Sequence, residues 1–224
     1  VTHPEQQSDY SFNLRPEVVP HLPSGVASVL DVGCGRGGFG TSLRARYGPG
    51  ARLVGVEAVP EQAERARAAG GFDEVIEGYF PDVVAGRDER FDLITFNDVL
   101  EHVVDPWGVL DRCRGLLAPG GAVLATIPNV AYAPVVWGLA RGRWEYSDEG
   151  VLDRTHVRFF TQGSMRGLFE SSGYTVERCV GINSIGGVWV TDPLAPRRWA
   201  KRVVERAIGD SRYLHFVLVG RPRG

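Results

Sequence analysis

Val29-Leu30-Asp31-Val32-Gly33-Cys34-Gly35-Arg36-Gly37-Gly38 is the stretch on which the fold turns. Val29 to Val32 is a short apolar run ending in an acid and glycines, the pattern of a strand buried in a parallel sheet. Phe39 to Tyr47 follows as a helix with Leu43 facing inward. Glycines between a strand and a helix let the backbone approach a ligand closely and adopt positive φ. The position is also the ligand crevice of open α/β sheets, outside the carboxyl ends of the strands.

The alternation continues on both sides of this loop. Arg52 to Glu57 reads as a second strand, Pro60 to Ala69 as a helix with proline in its first turn, and Glu74 to Glu77 as a weak third strand. Phe91 to Phe96 is expected as a fourth strand and Pro106 to Leu117 as an amphipathic helix. The turn Ala118-Pro119-Gly120-Gly121 precedes a fifth strand, Ala122 to Ile127. Pro128 to Thr161 loses this rhythm and is rich in aromatic and charged residues. A helix (Gln162 to Ser171), a strand (Thr175 to Val180), an irregular insert with a basic helix (Arg197 to Ile208) and a last strand (Tyr213 to Val219) complete the chain. Such an order implies right-handed crossovers, a mostly parallel sheet and helices on both faces, with the last two strands added as an edge pair.

Composition sets outer bounds. The 224 residues, 43% hydrophobic and 23% charged, are those of an ordinary soluble globular protein with one core. No apolar run approaches the roughly 20 residues needed to cross a bilayer. Val1 to Arg15 is polar and lacks the apolar region of a secretory signal. Cys34, Cys113 and Cys179 are far apart and odd in number, which argues against a disulfide framework and for a cytoplasmic setting. The net charge of −2 is unevenly placed: Arg197 to Gly224 holds eight Arg or Lys against Glu205 and Asp210, a net of +6, leaving −8 elsewhere. The basic helix reads either as a solvated face, as packing between the last two strands, or as a peripheral contact with an anionic membrane or acceptor. No nucleic-acid partner is expected, since no RNA-reading motif appears and the pI is near 6.2.

The glycine loop alone is ambiguous, because Gly33, Gly35 and Gly38 also spell the dinucleotide G-x-G-x-x-G. Three features favour a sulfonium nucleoside. Asp31 places negative charge beside the loop, which suits an ammonium group and opposes a pyrophosphate. Glu57, 26 residues later at the end of the second strand, is placed to accept both ribose hydroxyls, and no Arg or Lys closely follows it to meet a 2′-phosphate. Phe96-Asn97-Asp98-Val99-Leu100-Glu101-His102 brings a second acid-bearing strand end to the same crevice.

VLDVGCGRGGFG (29–40), LVGVEAVP (53–60), FDLITFNDVLEHVVDP (91–106), LLAPGGAVLATIPN (116–129) and LDRTHVRFF (152–160) together resemble the class I S-adenosylmethionine-dependent methyltransferases, over roughly Tyr10 to Cys179. Within the class the chain is most similar to the ubiquinone-biosynthesis O-methyltransferase type and to methyltransferases associated with sugar and polysaccharide modification. The resemblance implies a Rossmann-like, doubly wound α/β fold: a mostly parallel seven-stranded sheet with helices on both faces and an antiparallel edge strand. It implies one domain over 1–224, with an acceptor-site lid at about 128–161 and a basic insert at about 182–211. It implies S-adenosylmethionine as cofactor and S-adenosylhomocysteine as product. Asp31, Gly33, Gly35 and Gly37 would line the methionine part, Glu57 the ribose, and Ala58 the adenine. Asn97 and Val99 would hold the cofactor from the fourth strand, and Tyr10 and Arg15 would close over its carboxylate. One departure concerns adenine. Relatives often carry Asp after the glycine of the third strand, whereas here Gly78 is followed by Tyr79, which leaves backbone groups or stacking to recognise the base.

Methyl transfer is an in-line displacement in which the cofactor supplies reactivity and the protein supplies alignment and exclusion of water. A hydroxyl acceptor gains from a general base, a role that suits histidine near neutral pH. His102 follows the fourth strand and is either that base or a cap of the next turn. His156 lies three residues from Asp153, and the two read as base and orienting partner or as a structural salt-bridged turn. His3, His21 and His215 are expected to be structural. Asp98, Glu101, His102, Asp153 and His156 include donors that suit Mg²⁺ or Mn²⁺, but no spacing enforces a metal and none is expected. Tyr132, Trp137, Trp144 and Tyr146 stack on an acceptor ring or sugar, or form a small lid core. The expected function is methyl transfer to a hydroxyl of a small-molecule acceptor, a sugar or phenol. N- or C-methylation, non-catalytic S-adenosylmethionine binding and nicotinamide redox chemistry stand as the alternatives.

Overall fold

The computed structural model of the chain describes residues 12–185 and 209–224. Seven strands form one sheet: β1 (Ser28–Val32), β2 (Arg52–Glu57), β3 (Glu74–Glu77), β4 (Phe91–Asn97), β5 (Leu117–Pro128), β6 (Tyr174–Ser184) and β7 (Tyr213–Pro222). Their order is β3-β2-β1-β4-β5-β7-β6. The first five strands are parallel, with register pairs such as Asp31 with Gly55 and Asp31 with Thr95. β7 runs antiparallel to both neighbours, one place in from the edge that β6 closes. The doubly wound, Rossmann-like sheet expected from the sequence is therefore present.

Period-two alternation fills both faces. Leu30, Val32, Val54, Val56, Ile94, Phe96, Val123, Ala125, Phe216 and Leu218 point into one core. There they meet Val109, Leu110 and Cys113 of α3 (Pro106–Leu116) and Met165, Leu168 and Phe169 of α5 (Gln162–Ser171). Val29, Leu53, Leu93, Ala122, Leu124, Val217 and Val219 point the other way, onto Phe39 and Leu43 of α1 (Gly38–Tyr47). The helix ends are set by local chemistry. Asp105 caps α3 by accepting from the Gly108 amide at 3.0 Å, ahead of Pro106 in the first turn. Thr161 and Ser164 form a reciprocal capping box on α5, and α2 (Pro60–Ala69) starts on proline and ends on left-handed Gly70.

Gly37 opens α1 from a left-handed conformation (φ 83°). A Cβ there would lie 2.9 Å from the Ala66 Cα on α2, so the glycine serves helix packing. Gly37→Ala combines a left-handed penalty of about 1–2 kcal/mol with overpacking of similar size. A loss of about 2–4 kcal/mol is expected in denaturant titration.

Three elements differ from the sequence reading. The expected turn at 118–121 lies within β5: Phe91 pairs with Leu117 and Leu93 with Ala122, so the segment bulges from the ladder without ending it. The stretch 128–161 contains a seven-residue helix, α4 (Ala133–Leu139). Ile182 to Ser184, assigned above to the insert, extends β6 by pairing with β7. The basic helix expected at Arg197 to Ile208 lies outside the described residues. Among the described residues no helix is long and apolar enough to cross a membrane.

Candidate active site

The carboxyl ends of β1, β2 and β4 open into a cavity of about 290 Å³. Asp31, Gly33, Gly35, Glu57, Ala58, Asn97, Val99 and Arg15 all line it, as does His102. Gly37 does not line it; it packs on α2 as described, and Gly38 faces the cavity instead. Tyr10 lies outside the described residues.

Asp31, the penultimate residue of β1, is almost wholly buried, and its Oδ1 accepts from the Thr95 hydroxyl at 2.6 Å. Burial raises its pKa to about 7 against the Thr95 hydrogen bond, with the Glu57 charge adding to the rise. Arg15 and Asn97 favour the charged form without offsetting the burial, so an ammonium group placed against Asp31 would stabilise its carboxylate further. Asn97, at the end of β4, has both amide polar atoms buried with no hydrogen bond of good geometry, and its side chain lies close enough to Asp31 to favour that carboxylate. Gly33 (φ 72°) leaves room at this end, since a Cβ would sit 2.6 Å from Val99 Cγ2.

Glu57 organises the middle of the cavity. Its Oε2 accepts from the Gly35 amide at 2.8 Å and its Oε1 from the Val59 amide at 2.9 Å. Each oxygen keeps a second lone pair, enough to receive the two hydroxyls of a ribose. Glu57→Ala orphans both amides and removes both acceptors. Cofactor affinity is expected to fall by about 2–3 kcal/mol, roughly 30- to 150-fold, by calorimetry; an unchanged affinity contradicts the ribose assignment.

Arg15 reaches the cavity, but its guanidinium is engaged there. It pairs with Asp98, bonds Thr126 Oγ1 at 2.9 Å and lies 3.1 Å from Glu17. Asp98 has a left-handed backbone (φ 55°) and also accepts from Thr126 Oγ1 at 2.9 Å. Burial pushes the Asp98 pKa up, but Arg15 and His215 outweigh it and hold the acid below its usual range. His215, on β7, brings Nε2 to 3.8 Å from Asp98 Oδ1. Its Nδ1 lies 3.4 Å from the Asn183 amide nitrogen, so Nδ1 accepts and Nε2 holds the proton toward Asp98. The sequence reading took His215 as structural; the antiparallel insertion of β7 brings it beside Asp98.

The expected pairing of Asp153 with His156 does not form. Asp153 Oδ1 instead accepts from the Thr155 amide and hydroxyl, both at 2.7 Å. Thr155 Oγ1 lies 3.1 Å from His102 Nδ1. A hydroxyl has one proton, and Asp153 takes it, so Nδ1 of His102 must donate and Nε2 is left with the lone pair. Burial, then the neighbouring His156, lowers the His102 pKa and keeps the ring neutral near pH 7. His156 stands behind it, ring centroids 4.7 Å apart, with Nδ1 3.0 Å from the Val151 carbonyl. The 128–161 segment is pinned over this turn: Val157 and Arg158 amides both donate to the Glu101 carbonyl at 3.0 Å.

Glu101 was not singled out on its own from the sequence. Its side chain is 1% exposed and neither oxygen has a hydrogen-bond partner. Burial, and then the charge of Asp98, push its pKa well above the carboxylate range. Glu101, His102 and His156 present one ligand atom each within 4.8 Å of one another, a donor set suited to a divalent ion. The aromatics of the covering segment lie elsewhere. Trp144 meets Phe159 edge to face at 5.3 Å, Trp137 sits under Arg141, and Tyr132 lines a separate trough with Val151, Leu152 and Leu214.

The strand order and the glycine-lined cavity at the carboxyl ends of β1, β2 and β4 are those of the class I methyltransferases. The methyltransferase-domain family matches residues 9–178, and the chain belongs to it; its cofactor is S-adenosylmethionine. The chain is 28% identical over 183 residues to the mitochondrial ubiquinone biosynthesis O-methyltransferase of Homo sapiens, covering 78% of this chain and 49% of that protein. It is 35% identical over 136 residues to the ubiquinone biosynthesis O-methyltransferase of Xanthomonas oryzae pv. oryzae, covering 54% and 56%. The chain thus spans about half the length of these curated relatives. Among solved structures, a SAM-dependent methyltransferase from Archaeoglobus fulgidus superposes with TM-score 0.67 at 16% identity, covering 96% of each chain. One from Thermotoga maritima described as a possible histamine N-methyltransferase gives 0.64 at 19%, covering 92% and 86%. These last two likenesses show the fold alone.

Proposed function

We propose that the chain transfers the methyl group of S-adenosylmethionine to a hydroxyl of a small molecule, a phenol or a sugar, with His102 as general base. The observation that carries this reading is the Asp153–Thr155–His102 chain, which leaves a neutral imidazole with a free Nε2 lone pair on a residue that lines the cleft. An amine brings its own lone pair and has no need of such a base; a hydroxyl must lose a proton as the methyl arrives. Phenols, with pKa near 10, lie closest to the reach of an imidazole. The likeness to ubiquinone-biosynthesis O-methyltransferases points the same way.

Labelled S-adenosylmethionine and matched acceptor pairs, one member bearing a hydroxyl and the other an amine on the same skeleton, test this. Label is expected in the hydroxyl member. Turnover confined to the amines overturns the proposal. The same assay checks the base through pH: kcat on a phenol should fall as pH drops through a pKa below the ordinary histidine value, because burial lowers that of His102.

A further inference from the structure

The chain crosses itself at the start of α1. Gly38 opens that helix, and the segment Phe12-Asn13-Leu14-Arg15 lies across it. A Cβ on Gly38 would stand 2.5 Å from the Asn13 carbonyl oxygen and 2.7 Å from the Asn13 N and C atoms. These are backbone atoms, which cannot swing aside as a side chain can. One turn further along α1, the Ser42 hydroxyl donates to the Leu14 carbonyl at 2.7 Å. The last glycine of the G-x-G-x-x-G spelling is thus the seat of a strap, held down a second time by Ser42.

The strap reaches the cleft. Asn13 and Arg15 line the cavity, while Phe12 and Leu14 are exposed. Asn13 Oδ1 accepts from the Arg15 amide at 2.9 Å, and Arg15 takes a left-handed backbone (φ 51°). From there the chain descends to Val18, which is buried in the same core as Phe39 and Leu43 of α1. The Arg15 guanidinium pairs with Asp98, bonds Thr126 Oγ1 at 2.9 Å and acts by its charge on Asp31. The strap therefore stands at the Asp31 and Asp98 end of the cavity. Glu57 and Ala58 stand at the end of β2, which β1 separates from β4 and Asp98. Ser42 is half-buried and does not line the cavity.

We propose that Gly38 and Ser42 are positioning residues: by seating the strap they set how strongly the cleft prefers the whole S-adenosyl amino acid over the same nucleoside without its amino-acid arm. They act through Asn13 and Arg15, and Ser42 does so from outside the cavity. The inference rests on the reading that the Asp31 end meets the amino-acid arm and Glu57 the ribose. It is independent of the acceptor proposed above.

The test is calorimetric binding of S-adenosylhomocysteine and of 5′-methylthioadenosine to the whole chain. The second ligand has the same adenine and ribose and no amino-acid arm. Ser42→Ala should lower S-adenosylhomocysteine affinity about three- to tenfold, the worth of one neutral hydrogen bond. Affinity for 5′-methylthioadenosine should stay within about twofold, a split that general loosening of the fold does not produce. Ser42→Thr keeps the hydroxyl and should bind both ligands as the parent does. Gly38→Ala pushes Asn13 outward and should cost S-adenosylhomocysteine about tenfold or more, with 5′-methylthioadenosine again little changed. Should Gly38→Ala not fold, the two Ser42 variants decide alone. Equal losses for both ligands, or no loss for either, overturn the proposal. Hydrogen exchange gives a second readout at the Arg15 amide. S-adenosylhomocysteine should slow its exchange and 5′-methylthioadenosine should not; equal protection by the two overturns the proposal as well. Failure of the parent chain to bind S-adenosylhomocysteine at all is a different result and overturns the cofactor assignment.

Discussion

His102→Ala is expected to lower kcat on a hydroxyl acceptor by about 10²–10⁴-fold, the usual worth of a positioned general base. S-adenosylhomocysteine affinity should stay within about threefold, because the residues proposed to meet the cofactor's polar groups are Asp31, Asn97 and Glu57, which also line the cavity. The ring lies between a proton-holding relay and the cleft. Its Nδ1 is spent on Thr155, whose own proton is spent on Asp153. Thr155→Val breaks the relay without removing the base. A smaller loss of kcat is expected, with the ring's tautomer no longer fixed. His156→Ala separates the two histidines: His156 touches the Val151 carbonyl and the His102 ring and does not line the cavity, so its loss should act chiefly on stability. Retained turnover in His102→Ala, together with abolished turnover in a folded His156→Ala, would reverse the assignment.

Asp31→Asn should move stability and cofactor affinity in opposite directions. The acid is raised from 3.8 to about 7 in the folded chain. The folded state therefore holds a proton that the unfolded state has released between those values. Its contribution to stability is fully present below about pH 4, declines as pH rises toward 7, and amounts to about 4 kcal/mol at 1.36 kcal/mol per unit. The amide cannot ionise. Without cofactor, the variant is expected to gain several kcal/mol over the wild type at pH 8 and little near pH 4, read as paired denaturant midpoints. S-adenosylmethionine affinity should fall about tenfold to 150-fold in the variant at pH 8, the scale of a charged hydrogen bond. Wild-type affinity should weaken as pH drops below about 7, where the carboxylate takes up its proton. Equal stability of the two proteins at pH 8 would mean that Asp31 is not a strained acid.

Much of this was legible because local chemistry punctuates the chain. Pro60 and Gly70 bound α2, and the run Gln162 to Ser171 is helical as read. The pattern Asp31, glycines, Glu57 places one cavity lining because each residue stands at or just past the carboxyl end of a strand. Three things were hidden. Asp153 and His156 have helical spacing, but Asp153 turns to its own backbone at Thr155, and a short-range bond of that kind outcompetes a side-chain partner. The helix α4 has Pro134 and Gly138 within it and no buried residue, so it leaves no periodic stripe. Arg15, Asp98 and His215 meet across the whole chain. No local pattern encodes a contact made by strand order, and His215 could be found only once β7 was known to lie against β5.

That position of β7 bears on how the molecule is made. β7 follows every other strand in the chain yet is not at the border of the sheet; it fills the slot between β5 and β6. Among the described residues β6 pairs with β7 alone, so without β7 neither β5 nor β6 has a partner on that side. The cavity-lining ends of β1, β2 and β4 precede β7 in the chain, and His215 on β7 is the last of the described strands' contributions to the Asp98 cluster. Long-range pairing of this kind is slow, and an unpaired strand invites the wrong neighbour. The strand that fills the sheet also brings His215 against Asp98, so the stability of that pairing and the polar cluster around Asp98 depend on the same strand.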